Sequence, residues 1–110
     1  MFAVIFEVEP KPDGKQEYLD IAAALRPELE KIDGFISIER FASLSNEEKI
    51  LSLSFWRDEK SVQNWRNHGQ HREAQRQGRH SLFENYRIRV AEIIRDYGPN
   101  DRGQAPESVD

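Results

Sequence analysis

The chain has 110 residues, enough for one domain around one core, since a chain of this size buries roughly two-thirds of its unfolded surface. Apolar residues make up 37% and charged residues 33%, which is polar for a small globular protein but not the composition of a disordered one. A net charge of −4 with no segregated basic block argues against nucleic acid or an anionic membrane as partner, and the absence of cysteine excludes disulfides, thiolate metal sites and a cysteine nucleophile.

Phe2 to Glu9 reads as a strand whose even positions, Phe2, Val4, Phe6 and Val8, are all apolar. Its odd positions run from Ala3 and Ile5 to Glu7 and Glu9, so the second face is apolar at one end and acidic at the other. The opening MFAVIFEVEP has no basic lead-in and no small-residue cleavage site, so it reads as this strand and not as a secretory signal. No apolar run approaches the roughly 20 residues of a membrane span, and the expected compartment is the cytoplasm. After the turn formers Pro10, Pro12 and Gly14, Asp13 is the expected N-cap of a helix with Tyr18, Ile21, Ala22, Leu25, Leu29 and Ile32 on one face. Pro27 lies inside that pattern and predicts a kink, because it cannot donate to the carbonyl of Ala23. Asp33-Gly34 ends the helix, with Gly34 free to adopt a left-handed conformation.

Phe35 to Leu44 and Lys49 to Trp56 follow as two strands joined at Ser45-Asn46-Glu47, a link suited to an antiparallel hairpin. Asp58 or Ser61 can cap the next helix, and Tyr86 to Tyr97 reads as the last strand. This order predicts an α+β protein: a ferredoxin-like βαββαβ sandwich, with a four-stranded antiparallel sheet and both helices on one side. The other side, to which Ile5, Ile50, Trp56 and Ile93 are assigned, is too apolar to face water, so a homodimer is expected. The domain is expected to span residues 1–98, with the polar residues 99–110 as a flexible tail.

The stretch SVQNWRNHGQHREAQRQGRH, residues 61–80, concentrates the chemistry-bearing side chains. Val62, Trp65 and Gly69 form a short apolar stripe that Arg72 and Arg76 would interrupt. The spacing therefore predicts a helix from about Asp58 to Asn67, a break near His68-Gly69, and a short helix over Gln70 to Gln77 ended by Gly78. The break exposes backbone N–H groups beside His71.

WRNHGQHREAQRQGR, the following LFENYRIRVAEIIRDYG, the opening FAVIFEVEPKPDGKQEYL, Asp33-Gly34-Phe35 and FWRDEKSVQNW together resemble the antibiotic biosynthesis monooxygenase (ABM) domain family over residues 2 to about 98. The resemblance implies a dimeric α/β barrel, in which two ferredoxin-like sheets face each other and each half encloses a pocket. It also implies one of several activities, among them cofactor-independent oxygenation of aromatic polyketides and hydroquinones, haem degradation and isomerisation. The haem-degrading branch uses a first-strand asparagine, a tryptophan on the second helix and a later histidine as iron ligand. Trp65 matches the tryptophan, but the other positions fall at Glu7 and at Gln75 or Arg76, which disfavours haem oxygenation unless His71 serves as the ligand from a shifted helix. His71 matches a histidine at the start of the short second helix in other members.

Each candidate has a functional and a structural role. Trp65 is either a buried anchor or a pocket wall, and His71 either the base that takes a phenolic proton or a brace for the helix break. His68 is a surface or bracing residue or a substrate contact, and His80 is a surface residue. His68 and His71 have the spacing of a metal pair, but no third ligand is signalled, so no metal is expected. Arg72, Arg76, Arg79 and Glu73 read as a solvated face. Glu7, Glu39, Ser52, Ser54 and Arg89 are the polar sheet residues that could line a barrel interior, with Glu39 and Arg89 read instead as ion-paired across strands or subunits.

No Gly-rich phosphate loop, nucleophile elbow or strand followed by GxGxxG occurs, so no organic cofactor is expected. The inventory of a base (His71), aromatic walls (Trp65, Phe83, Tyr86) and polar orienters (Asn64, Asn67, His68) meets the needs of a cofactor-independent monooxygenase acting on a small phenolic, hydroquinone or polyketide-like molecule. The alternative is a non-catalytic dimeric module that binds an aromatic or haem-like ligand. An RNA-binding role is disfavoured, because the sheet lacks paired exposed aromatics in a basic setting.

Overall fold

The computed structural model describes residues 1–68, 76 and 82–106. Its elements are β1 (Phe2–Pro10), α1 (Lys15–Glu30), β2 (Phe35–Ala42), β3 (Ile50–Trp56), α2 (Glu59–Arg66) and β4 (Phe83–Glu92). The four strands form one antiparallel sheet in the order β2-β3-β1-β4, the ferredoxin-like arrangement expected from the element order.

β1 is central, and its partners' register fixes which side chains share a face. Val4, Phe6 and Val8 stand opposite Ser54, Ser52 and Ile50 of β3, and opposite Val90, Ile88 and Tyr86 of β4. On β2, Ile38, Arg40 and Ala42 stand opposite Ser54, Ser52 and Ile50. This set faces the helices. Ile50 and Trp56 therefore belong to the covered side, where they are 6% and 1% exposed, and not to the open side to which sequence patterning assigns them. Ser52 and Ser54 move with them, because a strand's side chains alternate strictly between faces. The open side instead carries Ala3, Ile5, Leu51, Leu53, Phe55 and Phe41, with Glu7, Glu39, Arg87 and Arg89 among them.

Several boundaries differ from expectation. α1 starts one residue later than predicted, with Gly14 as N-cap and no side-chain cap bond, so Asp13 does not cap it. A Cβ on Gly14 would lie 3.0 Å from the carbonyl oxygen of Leu82, close enough that the Leu82 backbone would have to shift by a few tenths of an ångström. β4 begins at Phe83 and ends at Glu92, so Ile93 and Ile94 lie beyond the sheet. Pro27 sits inside α1, which continues to Glu30. Residues 98–105 make local turns: the Gly98 N–H donates to Asp101 O, and the Arg102 guanidinium lies 5.2 Å over the Tyr97 ring.

The apolar face of α1 is the one its spacing predicts, and it packs two clusters against the sheet. One joins Leu29 to Trp56, Val62 and Trp65; the other joins Tyr18 to Val8 and Ile50. α2 ends at Arg66 with Asn67 as C-cap, close to the predicted break. Of the predicted short helix over Gln70 to Gln77, only Arg76 is described, and it is helical and exposed. Among the described residues, no helix is long and apolar enough to cross a membrane.

Candidate functional site

Between the sheet and the helices lies a cavity of about 220 Å³, lined by members of both core clusters. Its origin can be read along the covered face of β3, which runs Ile50, Ser52, Ser54, Trp56. Large residues fill the two ends of the strand, whereas the two small serines in the middle fill little volume. A face built wholly of large residues would have closed this space, since protein interiors otherwise pack to the density of organic crystals. Ser54 also accepts a hydrogen bond from the Trp56 indole N–H at 2.9 Å, which fixes the ring edge-on to Phe35 at 5.4 Å.

One part of the wall is aromatic. Phe83 meets Tyr18, Phe6 and Tyr86 at ring-centroid distances of 5.5, 5.8 and 5.9 Å, all in tilted or edge geometries. Aliphatic wall comes from Ile21, Leu25 and Leu29 of α1. Trp65 and Arg66 close the α2 side, so the placement of α2 shapes the site.

That placement is set at the start of α2. The Asp58 carboxylate accepts from the Ser61 hydroxyl at 2.6 Å and from the Ser61 backbone N–H at 2.8 Å. The Ser61 hydroxyl, then its N–H, then the Arg57 guanidinium hold the Asp58 pKa down to about 2. Arg57 also donates two bonds to Asp33, at 3.1 and 2.9 Å, and so lowers the Asp33 pKa; it thereby ties the turn before β2 to the turn before α2. Gly34 sits between these turns at φ 93°, and a Cβ there would collide with the Ser61 hydroxyl. Glycine at this position is required twice, by its dihedral and by its neighbour.

The sequence-derived candidates separate in space. Trp65, Phe83 and Tyr86 all line the cavity. His68 stacks on Trp65 at 5.4 Å, with its Nε2 3.8 Å from Glu28 Oε2 and its buried Nδ1 without a hydrogen-bond partner, but it is not part of the cavity wall. The Asn64 and Asn67 side chains are exposed on and just after α2 and do not line the cavity. His71 lies outside the described residues. Glu7, the counterpart of the haem-branch asparagine, faces the open side, with Arg89 at 3.4 Å and Lys49 at 3.8 Å; β1 contributes Val4 and Phe6 to the cavity instead.

Arg40, Ser52 and Ser54 line the cavity and are absent from the sequence-derived site. The two serines are spaced as inward residues of a strand, but that reading requires the register. Arg40 becomes visible only once its pairing with Ser52 turns it to the same side.

Residues 1–77 match the family described as antibiotic biosynthesis monooxygenase. The jasmonate monooxygenase ABM of Pyricularia oryzae is 50% identical over 101 residues, which cover 92% of this chain and 47% of the relative. The chain thus spans about half the length of that relative. Among solved structures, Rv0793 from Mycobacterium tuberculosis superposes with a TM-score of 0.78 at 16% identity, over 88% of this chain and 98% of its own. A conserved protein from Methanosarcina mazei Go1 gives 0.74 at 23% identity, over 82% of this chain and 89% of its own. The fold is common to these solved structures, and the family match covers most of the sheet and both described helices. The chain belongs to the antibiotic biosynthesis monooxygenase family.

Proposed function

We propose that this chain is a cofactor-independent monooxygenase of the ABM type, acting as a homodimer on a small phenolic, hydroquinone or polyketide-like molecule. The observation that carries the reading is the largely apolar cavity with an aromatic wall in a member of this family. An electron-rich ring enters that cavity and packs against Phe83, Tyr86 and Trp65. A base removes its acidic proton, and the resulting anion donates an electron to O2 directly. With an activated ring methylene, the carbon becomes a carbonyl, one oxygen atom stays on the product and the other leaves as water. His71 is the base by residue type; Trp65 is a wall of the cavity and His68, stacked on it, steadies that ring, while Asn64 and Asn67 lie outside the cavity. The surrounding apolar wall excludes water from the anion.

The open side of the sheet supports the homodimer, since Ile5, Leu51, Leu53 and Phe55 there are covered by neither described helix. A second copy of the same face provides that cover. The relative's name adds jasmonate to the substrates worth testing.

Oxygen uptake is the decisive measurement. Hydroquinones, anthrones and jasmonate, offered without added flavin, haem or metal, should include at least one substrate that consumes oxygen in step with its own loss. His71→Ala should then slow turnover by about a hundredfold or more. No uptake with any of them, together with tight binding, would make the chain a non-catalytic small-ligand module instead. Full activity in His71→Ala would remove the assigned base.

A further inference from the structure

We infer that the cavity selects an organic acid, whose carboxylate is received by the guanidinium of Arg40. This rests on the cavity being the substrate site, as proposed above, and specifies what enters it. Arg40 projects from β2 on the covered face, directly opposite Ser52, and lines the cavity. Its Nε is fully buried and has no hydrogen-bond partner, and Arg40 forms no ion pair among the described residues. A guanidinium cannot shed its charge, and one that borders a mostly apolar cavity without an anionic partner favours an anion there. No described residue supplies the acceptor.

Charge distribution points the same way. The chain carries 20 acidic residues against 16 basic ones, yet the charged residues lining the cavity, among those described, are Arg40 and Arg66 and include no carboxylate. A cavity with cationic groups and otherwise mostly apolar walls is complementary to an anion with a hydrocarbon body. Two carboxylate oxygens match the two terminal nitrogens of the guanidinium, and a phenolate offers only one oxygen. The Ser52 hydroxyl, opposite Arg40 on the neighbouring strand, is a further donor on the same wall.

Titration calorimetry under anaerobic conditions tests this with matched pairs: naphthylacetate, hydrocinnamate and cyclohexylacetate, each against its neutral methyl ester. At least one acid should bind about tenfold or more tightly than its ester. Arg40→Gln should reduce acid binding to the ester's level while ester binding stays unchanged, which also shows that the cavity is intact. Arg40→Lys, which keeps the charge, should retain part of the preference. Equal affinity for acid and ester, an acid preference that survives Arg40→Gln, or no binding by any member of the panel would overturn the inference. The oxygenase reading fails separately. An Arg40-dependent acid preference without oxygen uptake by any substrate sinks the chemistry and leaves the acid site standing. Oxygen uptake with a neutral hydroquinone that is indifferent to Arg40→Gln does the reverse.

Discussion

Toward the helices, β3 presents Ile50, Ser52, Ser54 and Trp56; away from them it presents Leu51, Leu53 and Phe55. The covered side thus holds two buried serines and, beside them, an arginine, whereas the uncovered side holds leucines and a phenylalanine. A monomer built only for its own stability would reverse this, since each large apolar side chain buried contributes about 1.5–3 kcal/mol. The inversion is explained if each face answers to something outside the chain. On the proposed reading, the serines and Arg40 border a cavity for a ligand, and the leucines meet a second subunit. Polar residues inside and apolar residues outside are here two signs of function.

Four changes probe the comparison. Trp56→Ala should cost about 3–5 kcal/mol in a denaturant titration, because it empties the most buried large side chain of the covered face. A loss below about 1 kcal/mol would mean that this face is not the structural core. On the open face, Leu53→Glu should weaken dimerisation about a hundredfold without disturbing the circular dichroism spectrum, as followed by sedimentation velocity. A wild-type protein that sediments as a monomer at high concentration would break the comparison outright. Gly34→Ala should cost about 2 kcal/mol, through its positive φ and the Ser61 hydroxyl in the way, and thermal melts at neutral pH will show it. Asp58→Ala should lower the melting temperature by less, and the loss should depend on pH. The Asp58 carboxyl is held at about 2, below its ordinary value of 3.8, so the folded chain binds that proton less readily than the unfolded chain. Its contribution is therefore complete above pH 3.8 and is lost as the pH falls toward about 2, where mutant and wild type should converge.

Much of the fold was legible because its signals are local. The apolar spacing of Tyr18 to Ile32 marks α1, and Asp58 with Ser61 marks the start of α2 whatever the rest of the chain does. The facing of β3 was not legible, since both of its alternating sets contain large apolar residues and only pairing with β1 chooses between them. The site inherits that limit. Trp65, Phe83 and Tyr86 could be placed from the sequence because they flank a recognisable stretch. Arg40 could not, because the bulge between Phe35 and Ser37 resets the alternation of β2 and puts both Phe35 and Arg40 on the covered side. A buried donor without an acceptor is likewise a fact of three dimensions.

The chain contains two tryptophans, Trp56 and Trp65, and both line the cavity. Both indoles of this chain therefore watch the same small volume. Intrinsic fluorescence, usually an average over unrelated environments, becomes here a private report on occupancy, and any guest that displaces water from that space should shift the whole emission spectrum without a label.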